Sequence, residues 1–259
     1  MVLGRFIRFC LNAFPRPVLQ RIASWSVPLL GLVYYGHKKR CPICGKEVKK
    51  FLPYGYEVSR EDALCPRCLA LERHRMLWLY IERMHTLEKC PVLLHMAPEV
   101  SLKRRIEHIY KDCPKNYITA DLESPLAELH FDICKIPLQT KSIECFICNH
   151  LLEHVEDDLK ALQELYRILK PGGWGLMLSP VDTNRETTFE DSSITDRHER
   201  AKIFGQYDHL RIYGRDFPQR LSSQGFKVRE VRPQDFLSAT EINLYSVRHE
   251  ESIYILEKK

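Results

Sequence analysis

Residues 143–179 read IECFICNHLLEHVEDDLKALQELYRILKPGGWGLMLS, and this stretch decides the fold. It opens with a short apolar run of β-forming residues, Ile143 to Asn149. A helical pattern follows, whose apolar side chains share one face: Leu159, Leu162, Leu165, Tyr166 and Leu169. Lys170 closes the last helical turn and Pro171 cannot continue it, so Trp174 to Ser179 form a second apolar strand. Strand, helix and strand in succession predict a βαβ unit with two parallel strands.

Polar residues stand where both of these predicted strands end. They are Asn149 and His150 after the first strand and Ser179 after the second. Ligands of parallel sheets bind beyond the carboxyl ends of the strands. We therefore expect these three side chains to face a ligand.

The segment CNHLLEHVEDDLKALQELYRILKPGGWGLM resembles class I S-adenosylmethionine-dependent methyltransferases, specifically their small-molecule group, type 11. In that group a strand ends near an H-x-LEH segment, and a helix ending in R-x-LKPGG leads into the next strand. The resemblance implies an α/β fold with a Rossmann-like sheet of seven strands, the last antiparallel. It also implies methyl transfer with S-adenosylmethionine as cofactor.

Length and composition fit one α/β domain with a small additional module, because the chain has 259 residues. A hydrophobic content of 44% and a charged content of 28% are typical of soluble globular proteins. We find no signal peptide and no apolar run of membrane-spanning length, which predicts a cytoplasmic protein. The formal charge of +5 is concentrated at the front, since residues 1–40 contain Arg and Lys but no Asp or Glu.

Residues 1–36 form an N-terminal arm that mixes apolar and basic residues. Pro15, Pro17 and Pro28 divide it into short helical pieces. One interpretation is a pair of interfacial helices that contact an anionic membrane or an acidic partner, which would place the protein at the inner face of the membrane. The other is an arm that packs its apolar face on the catalytic domain. An amphipathic stripe alone does not separate the two.

Residues 37–88 are predicted to be a zinc-ribbon module with a connecting helix. Two C-x-x-C pairs, Cys41/Cys44 and Cys65/Cys68, are separated by twenty residues. Each pair places two thiolates on one side of a turn, and two such turns complete a tetrahedral set of four sulfurs. Four thiolates leave no open coordination position, so we expect structural and not catalytic Zn²⁺.

A third C-x-x-C pair, Cys145 and Cys148, lies within the first strand quoted above. Residues three apart on a strand point to opposite faces, so their two thiols do not reach one metal. We interpret both as buried small side chains. Ten cysteines in this arrangement fit a reducing cytosol better than a disulfide framework.

Residues 69–84 read as the amphipathic connecting helix. The helix carries a polar cluster, Glu72 to Arg75. This cluster is either the solvated face of the helix or part of a cleft between the module and the main domain, which we place at residues 89–259.

The loop after the first strand of the main domain departs from the resemblance. Its text is H-x-A-P-E, and Ala97, Glu99 and Ser101 fall where the family has glycines. Side chains there narrow the approach to the cofactor's methionine end, while Glu99 pairs with its ammonium group and repels its carboxylate. A methyltransferase subfamily with an H-x-A-P-E loop is similar to this chain over about residues 38–257, zinc knuckles included.

Two acidic residues are the candidates for holding the nucleoside part of the cofactor. Asp121 ends the second strand, where an acidic side chain binds a ribose diol, with Glu123 as the alternative. The other interpretation of Asp121 is a turn-forming residue. The resemblance assigns Asp132 to the adenine amino group and the Ile133 backbone to the ring nitrogen. Asn149 completes this cofactor set.

Residues 181–213 form an insert after the second strand of the βαβ unit, so we expect them to cover the cofactor and meet the acceptor. A hydroxyl acceptor needs a base, and a histidine is suited to that role near neutral pH. His209 is the first candidate, with Asp208 orienting it or the substrate, and His150 is the second. We expect His154 to be a structural member of the LEH sequence.

Three further residues of the insert, Arg197, Arg211 and Tyr213, are candidate substrate ligands, and the two arginines suit an anionic acceptor. The leading hypothesis is an O-methyltransferase acting on a sugar, a glycan precursor or another small hydroxylated molecule; its link to glycan biosynthesis is implied by the resemblance. The alternatives are an RNA methyltransferase, whose zinc module and basic front bind phosphates, and a non-catalytic scaffold without cofactor.

Overall fold

The computed structural model describes residues 33–55 and 59–259. Most of the N-terminal arm lies outside the described residues, so both interpretations of it stay predictions. None of the helices in the described part of the chain has the length and apolar character needed to cross a bilayer.

The regular elements of the described residues follow the chain in this order. The strands are β1 (Tyr35–Arg40), β2 (Glu47–Val48), β3 (Leu52–Tyr54), β4 (Arg60–Leu64), β5 (Leu93–Met96), β6 (Tyr117–Asp121), β7 (Leu129–His130), β8 (Ile143–Asn149), β9 (Leu169–Leu178), β10 (Phe189–Glu190), β11 (Arg211–Ile212), β12 (Lys227–Val231) and β13 (Ile253–Glu257). The α-helices are α1 (Glu72–Met84), α2 (Val100–Ile109), α3 (Asp158–Ile168), α4 (Arg197–Phe204), α5 (Phe217–Ser222) and α6 (Ala239–Tyr245).

Seven strands form the central sheet, in the order β12-β13-β9-β8-β5-β6-β7. Strand β13 is antiparallel to both of its neighbours, and the pairs from β9 to β7 are all parallel. The predicted α/β fold, a Rossmann-like sheet of seven strands with the last one antiparallel, is confirmed. The pairs β1–β2, β3–β4 and β10–β11 are separate antiparallel ribbons.

The βαβ unit consists of β8, α3 and β9. Asp157 caps α3 by accepting a hydrogen bond from a backbone N–H of the first turn. The second strand begins earlier than predicted, because Leu169 is already extended and pairs with Ile143. Gly175 allows β9 to lie close to the Phe146 ring, since a Cβ added there would come within 2.1 Å of it.

The last two strands, β12 and β13, are antiparallel neighbours in the sheet. Between β12 and β13 the chain forms a helix, α6. Ser238 caps it: its hydroxyl accepts from the N–H of Glu241, whose carboxylate accepts from the N–H of Ser238. The S-x-x-E signal for this capping box is present in the sequence and indicates the start of α6.

The two faces of the sheet belong to two hydrophobic clusters. Cys145 packs in one cluster and Cys148 in the other, so these side chains point to opposite faces as predicted. Cys145 is not a free thiol, however. It forms a disulfide with Cys90, with 6.0 Å between the two Cα atoms. Sequence reasoning did not find this pair because Cys90 lies in a different segment that the fold brings beside β8.

The small ribbons and the main sheet share one of these clusters. It includes Ile43 and Phe51 from the ribbons, Met76 and Leu77 from α1, and Leu93 from β5. The four-cysteine cluster, Cys41, Cys44, Cys65 and Cys68, therefore rests on the same core as the sheet. The ribbons pack as part of the domain and not as an appendage.

Arg75 on α1 connects these parts. Its side chain is fully buried, and its guanidinium carbon lies 3.9 Å from the centre of the Phe51 ring. The guanidinium donates to five backbone carbonyl oxygens, those of Asp62, Ala63, Ala70, Tyr245 and Ser246. One side chain thus binds the β3–β4 ribbon, the start of α1 and the end of α6.

Candidate functional site

The carboxyl edge of the sheet, where the parallel strands end, is held together by two carboxylates. Asn149 Nδ2, at the end of β8, donates to Glu99 Oε1 at 3.3 Å. His150 Nδ1 lies 3.3 Å from Glu153 Oε1, and Ser179 Oγ donates to Glu153 Oε2 at 3.3 Å. The structure thus brings the three predicted strand-end residues to one edge.

The loop after β5 keeps a glycine-like shape without a glycine. Ala97 has a φ of +49°, in the left-handed region, and its N–H donates to Ala120 O at 2.8 Å. An alanine in this conformation costs about 1 kcal/mol relative to glycine. Ala97 therefore adopts a backbone conformation that favours glycine.

Glu99 has partners inside the protein. Its Oε2 lies 3.1 Å from His95 Nε2, and its Oε1 lies 3.5 Å from His74 Nε2. His95 is fully buried, and its Nδ1 is hydrogen-bonded to the Tyr117 hydroxyl at 2.7 Å. We expected Glu99 to meet the cofactor's ammonium group; the structure instead shows its carboxylate held by α1, β5 and β8.

The pKa values of His74 and Glu99 are both lowered in this cluster. Burial lowers the pKa of His74 to about 3, although the Glu99 carboxylate acts in the other direction. Burial also opposes ionisation of Glu99, but His74 and the hydrogen bond from His95 outweigh it and lower the pKa of Glu99 to about 2. At neutral pH the site therefore contains a carboxylate beside a neutral imidazole.

Of the two interpretations of the Glu72–Arg75 cluster, the solvated face is wrong. Glu72, His74 and Arg75 are all buried. They tolerate burial because each has a polar partner: Arg60 Nε donates to Glu72 at 2.8 Å, for example. The periodicity of α1 did not show this, because these partners come from distant segments.

We expect His74→Gln to reduce the loss of stability in mild acid. Unfolded histidine binds a proton near pH 6.5, whereas His74 in the folded protein resists it down to about pH 3. Its contribution is thus complete above about pH 6.5 and is lost as the pH falls toward 3. Urea unfolding at several pH values between about 6.5 and 4.5, above the range in which Glu99 titrates, measures the effect. The exposed His108 supplies the control variant, His108→Gln; parallel curves for His74→Gln and wild type would contradict this assignment.

The predicted nucleoside ligands lie beside each other at the ends of β6 and β7. Asp121 Oδ1 accepts from the N–H groups of Glu123 and Ser124, at 2.9 and 2.7 Å. No described residue hydrogen-bonds to the other oxygen of Asp121, so the residue forms a turn and still presents an acceptor. Asp132 is exposed and accepts from Cys134 N at 2.8 Å, while Ile133 is buried.

The candidate base residues meet around the LEH segment, the 3₁₀ turn Leu152–His154. The rings of His154 and His209 lie 4.7 Å apart, centre to centre, at 82°. Asp208 contacts His154, since its carbonyl oxygen lies 3.1 Å from His154 Nδ1. His150 lies on the other side of Glu153, with a φ of +48°. Glu153 is a residue that we had not singled out.

Two predicted substrate ligands, Arg211 and Tyr213, are structural. Both are buried, and Tyr213 donates its hydroxyl hydrogen to Asp158 at 2.8 Å. Arg211 Nε donates to Glu190 at 2.9 Å, and the rest of its guanidinium donates to carbonyl oxygens of Leu152, Val155 and Glu156. These four bonds involve all three nitrogens of the Arg211 guanidinium and fix the insert to residues 152–156. The third candidate, Arg197, is exposed and stacks on the Tyr207 ring at 4.3 Å.

The four-cysteine cluster has the geometry of a metal site. Its sulfurs all lie within 4.8 Å of one another, with 3.6 Å between Cys41 and Cys68 and 3.9 Å between Cys44 and Cys65. Four sulfurs at the Zn–S bond length of about 2.3 Å would be separated by about 3.8 Å in a tetrahedron. Clefts of 340 and 260 Å³ open beside the ribbons, away from the carboxyl edge.

Comparison with known proteins supports the class of this domain. Residues 102–177 match the family model described as "Methyltransferase domain". An uncharacterized 37.1 kDa protein in transposon TN4556 of Streptomyces fradiae is 31% identical over 105 residues, which are 39% of this chain and 29% of that protein. The chain thus spans less than a third of that curated relative.

Solved structures of similar outline include a SAM-dependent methyltransferase from Archaeoglobus fulgidus, 11% identical, with a TM-score of 0.48 over 73% of this chain and 95% of that one. Another is an S-adenosylmethionine-dependent methyltransferase from Mesorhizobium loti, 14% identical, with a TM-score of 0.43 over 64% and 90% of the two chains. The seven-stranded sheet is Rossmann-like, and residues 102–177 of the chain match a methyltransferase domain model.

Proposed function

We propose that this protein is an S-adenosylmethionine-dependent methyltransferase that methylates a hydroxyl group of a sugar, a glycan precursor or another small molecule. The observation that carries the proposal is the methyltransferase-domain match over residues 102–177, which includes the polar carboxyl edge of β8. Two buried atoms of that edge, Asn149 Oδ1 and His150 Nε2, have no hydrogen-bond partner in the described residues. Such atoms are costly unless a ligand satisfies them.

The residues at the edge fit the cofactor. Asp121 has a carboxylate oxygen available for the ribose hydroxyls, and Asn149 Oδ1 is unpartnered at the same edge of the sheet. We assign the adenine to Asp132 and to the backbone of Ile133. When bound there, the cofactor supplies an activated methyl group. The protein holds it, excludes water and positions the acceptor.

His150 is better placed than His209 to take the proton of an acceptor hydroxyl. Glu153 Oε1 lies 3.3 Å from His150 Nδ1 without hydrogen-bond geometry, and its negative charge favours the tautomer with hydrogen on that atom and a lone pair on Nε2. This Nε2 is the unpartnered atom at the end of β8. The arrangement of base and orienting carboxylate is the one that general base catalysis requires.

We also propose that the four-cysteine cluster binds one structural Zn²⁺. The support is the spacing of the sulfurs and their position over the core shared with the sheet. The N-terminal arm remains a proposed membrane contact.

We expect Asp121→Asn to weaken cofactor binding about tenfold or more, since a charge-assisted hydrogen bond contributes about 1.5–3 kcal/mol. Asparagine retains an oxygen that accepts the two turn bonds, so the fold should persist. Calorimetric titration with S-adenosylmethionine and S-adenosylhomocysteine measures the change, and Asp112→Asn, at an exposed turn, is the control. Unchanged affinity would refute the role of Asp121. Absence of any binding by the wild type at millimolar ligand would refute the proposed function.

A further inference from the structure

We infer that Glu153, His154 and His209 form a second metal site, which takes a divalent transition-metal ion. Each side chain offers one ligand atom, and the three atoms lie within 4.8 Å of one another. Two of the residues belong to the LEH segment, and the third follows α4 in the insert. Arg211 fixes these two segments to each other, so the site is built from supported backbone.

Hydrogen bonds to backbone carbonyl oxygens fix the tautomer of both histidines. His154 Nδ1 lies 3.1 Å from the carbonyl oxygen of Asp208, and His209 Nδ1 lies 3.2 Å from that of Phe204. A carbonyl oxygen only accepts, so each Nδ1 carries the hydrogen and each Nε2 carries the lone pair. The Asp208 carboxylate, 3.7 Å from the same His154 nitrogen, adds negative charge behind the ring. Hydrogen bonds of this kind fix the tautomer and raise the basicity of metal-bound histidines.

The third ligand is a buried carboxylate with an unsatisfied oxygen. Glu153 is 1% exposed, and its Oε2 accepts from Ser179. Its Oε1 has no hydrogen-bond partner in the described residues, although His150 Nδ1 lies 3.3 Å away. A buried carboxylate oxygen without a hydrogen bond is unfavourable. A cation between Glu153 and the two imidazoles would satisfy it.

Two imidazoles and one carboxylate suit Zn²⁺ or Fe²⁺ in sites that keep coordination positions open. This donor set differs from the four sulfurs of the four-cysteine cluster, so the two sites can be distinguished by ligand type. An open position at the carboxyl edge would receive the oxygen of an acceptor hydroxyl and lower its pKa. That role rests on the proposed function, whereas binding of the metal does not.

The test uses the full chain containing one equivalent of zinc, titrated with Co²⁺. Wild type should bind one further equivalent, with the weak visible absorption of nitrogen and oxygen ligands and without intense sulfur-to-metal charge transfer. His154→Gln and His209→Gln should each weaken Co²⁺ binding about tenfold or more while retaining zinc. The control is His198→Gln, which changes an exposed histidine of α4 outside the cluster and should bind Co²⁺ as wild type does.

Failure of the wild type to bind a second equivalent at millimolar Co²⁺ would overturn the inference, as would wild-type affinity in His209→Gln. Circular dichroism shows whether the variants fold. If they do not, imidazole nitrogen NMR of the wild type decides: a second equivalent of Zn²⁺ must shift two histidine rings, and no shift rejects the site. None of these readouts depends on methyl transfer, so failure of the proposed function would be recognised separately.

Discussion

Cys41→Ser combined with Cys65→Ser is expected to release the proposed zinc ion and to unfold the ribbons. Both cysteines are buried, and they come from different C-x-x-C pairs, so the double change removes half of the sulfur set and disrupts both turns. Structural zinc contributes on the order of 10 kcal/mol in small zinc-binding peptides. Because the ribbons share a hydrophobic cluster with the sheet, the loss should extend to the whole domain. Elemental analysis and thermal unfolding measure the two effects.

Cys113→Ser is the matched control, since Cys113 is an exposed free cysteine far along the chain from the cluster. It should retain one equivalent of zinc and unfold like the wild type. Retention of a full equivalent by the double variant would show that the four sulfurs are not the ligands. Zinc loss without a change in unfolding would show that the metal does not stabilise the domain.

Arg75→Met should destabilise the protein by about 3–5 kcal/mol, because each buried carbonyl oxygen left unpaired costs about 1–3 kcal/mol. Methionine fills much of the space but donates no hydrogen bond, so the five carbonyl oxygens around Arg75 lose their shared donor. Urea unfolding gives the change in free energy. Arg75→Lys should recover little of it, because an ammonium has three donors and lacks the planar fork.

The neighbouring position on the same helix provides the comparison. Arg73 is half-buried, and its Nε has no hydrogen-bond partner in the described residues, so Arg73→Met should cost far less than Arg75→Met. Equally small losses for the two variants would show that helix α1 tolerates the change at either position. In that case the network around Arg75 would be dispensable.

The parts of this molecule that the sequence predicted depend on local signals. Strand β6 ends at Asp121, as predicted. The βαβ unit follows from apolar periodicity and from Pro171. The edge residues Asn149 and Ser179 were located because parallel strands end at a common edge. Each of these inferences needs information from only one segment.

The features that sequence reasoning missed depend on contacts between segments. Arg211 was predicted to be a substrate ligand because an arginine in a loop is usually exposed. In the structure it is surrounded by the carbonyl oxygens of Leu152, Val155 and Glu156. The helical pattern does not show that His74 is buried, because its partner Glu99 comes from a different segment. Glu153 was not predicted as a site residue, because its neighbour His209 lies more than fifty residues away in the chain. Periodicity does not contain such pairings.

His74 and Arg75 are neighbours on α1, and they couple the proposed zinc site to the proposed cofactor site. Arg75 bonds to the ribbon that carries Cys65, and His74 contacts the carboxylate that also holds Asn149. If zinc loss displaced α1, His74 would move with the helix and would disturb Glu99 at the cofactor edge. Thermodynamic reciprocity then requires the effect to run both ways: the cofactor should bind more tightly to the zinc form, and bound cofactor should slow removal of zinc by a chelator by the same free energy of coupling.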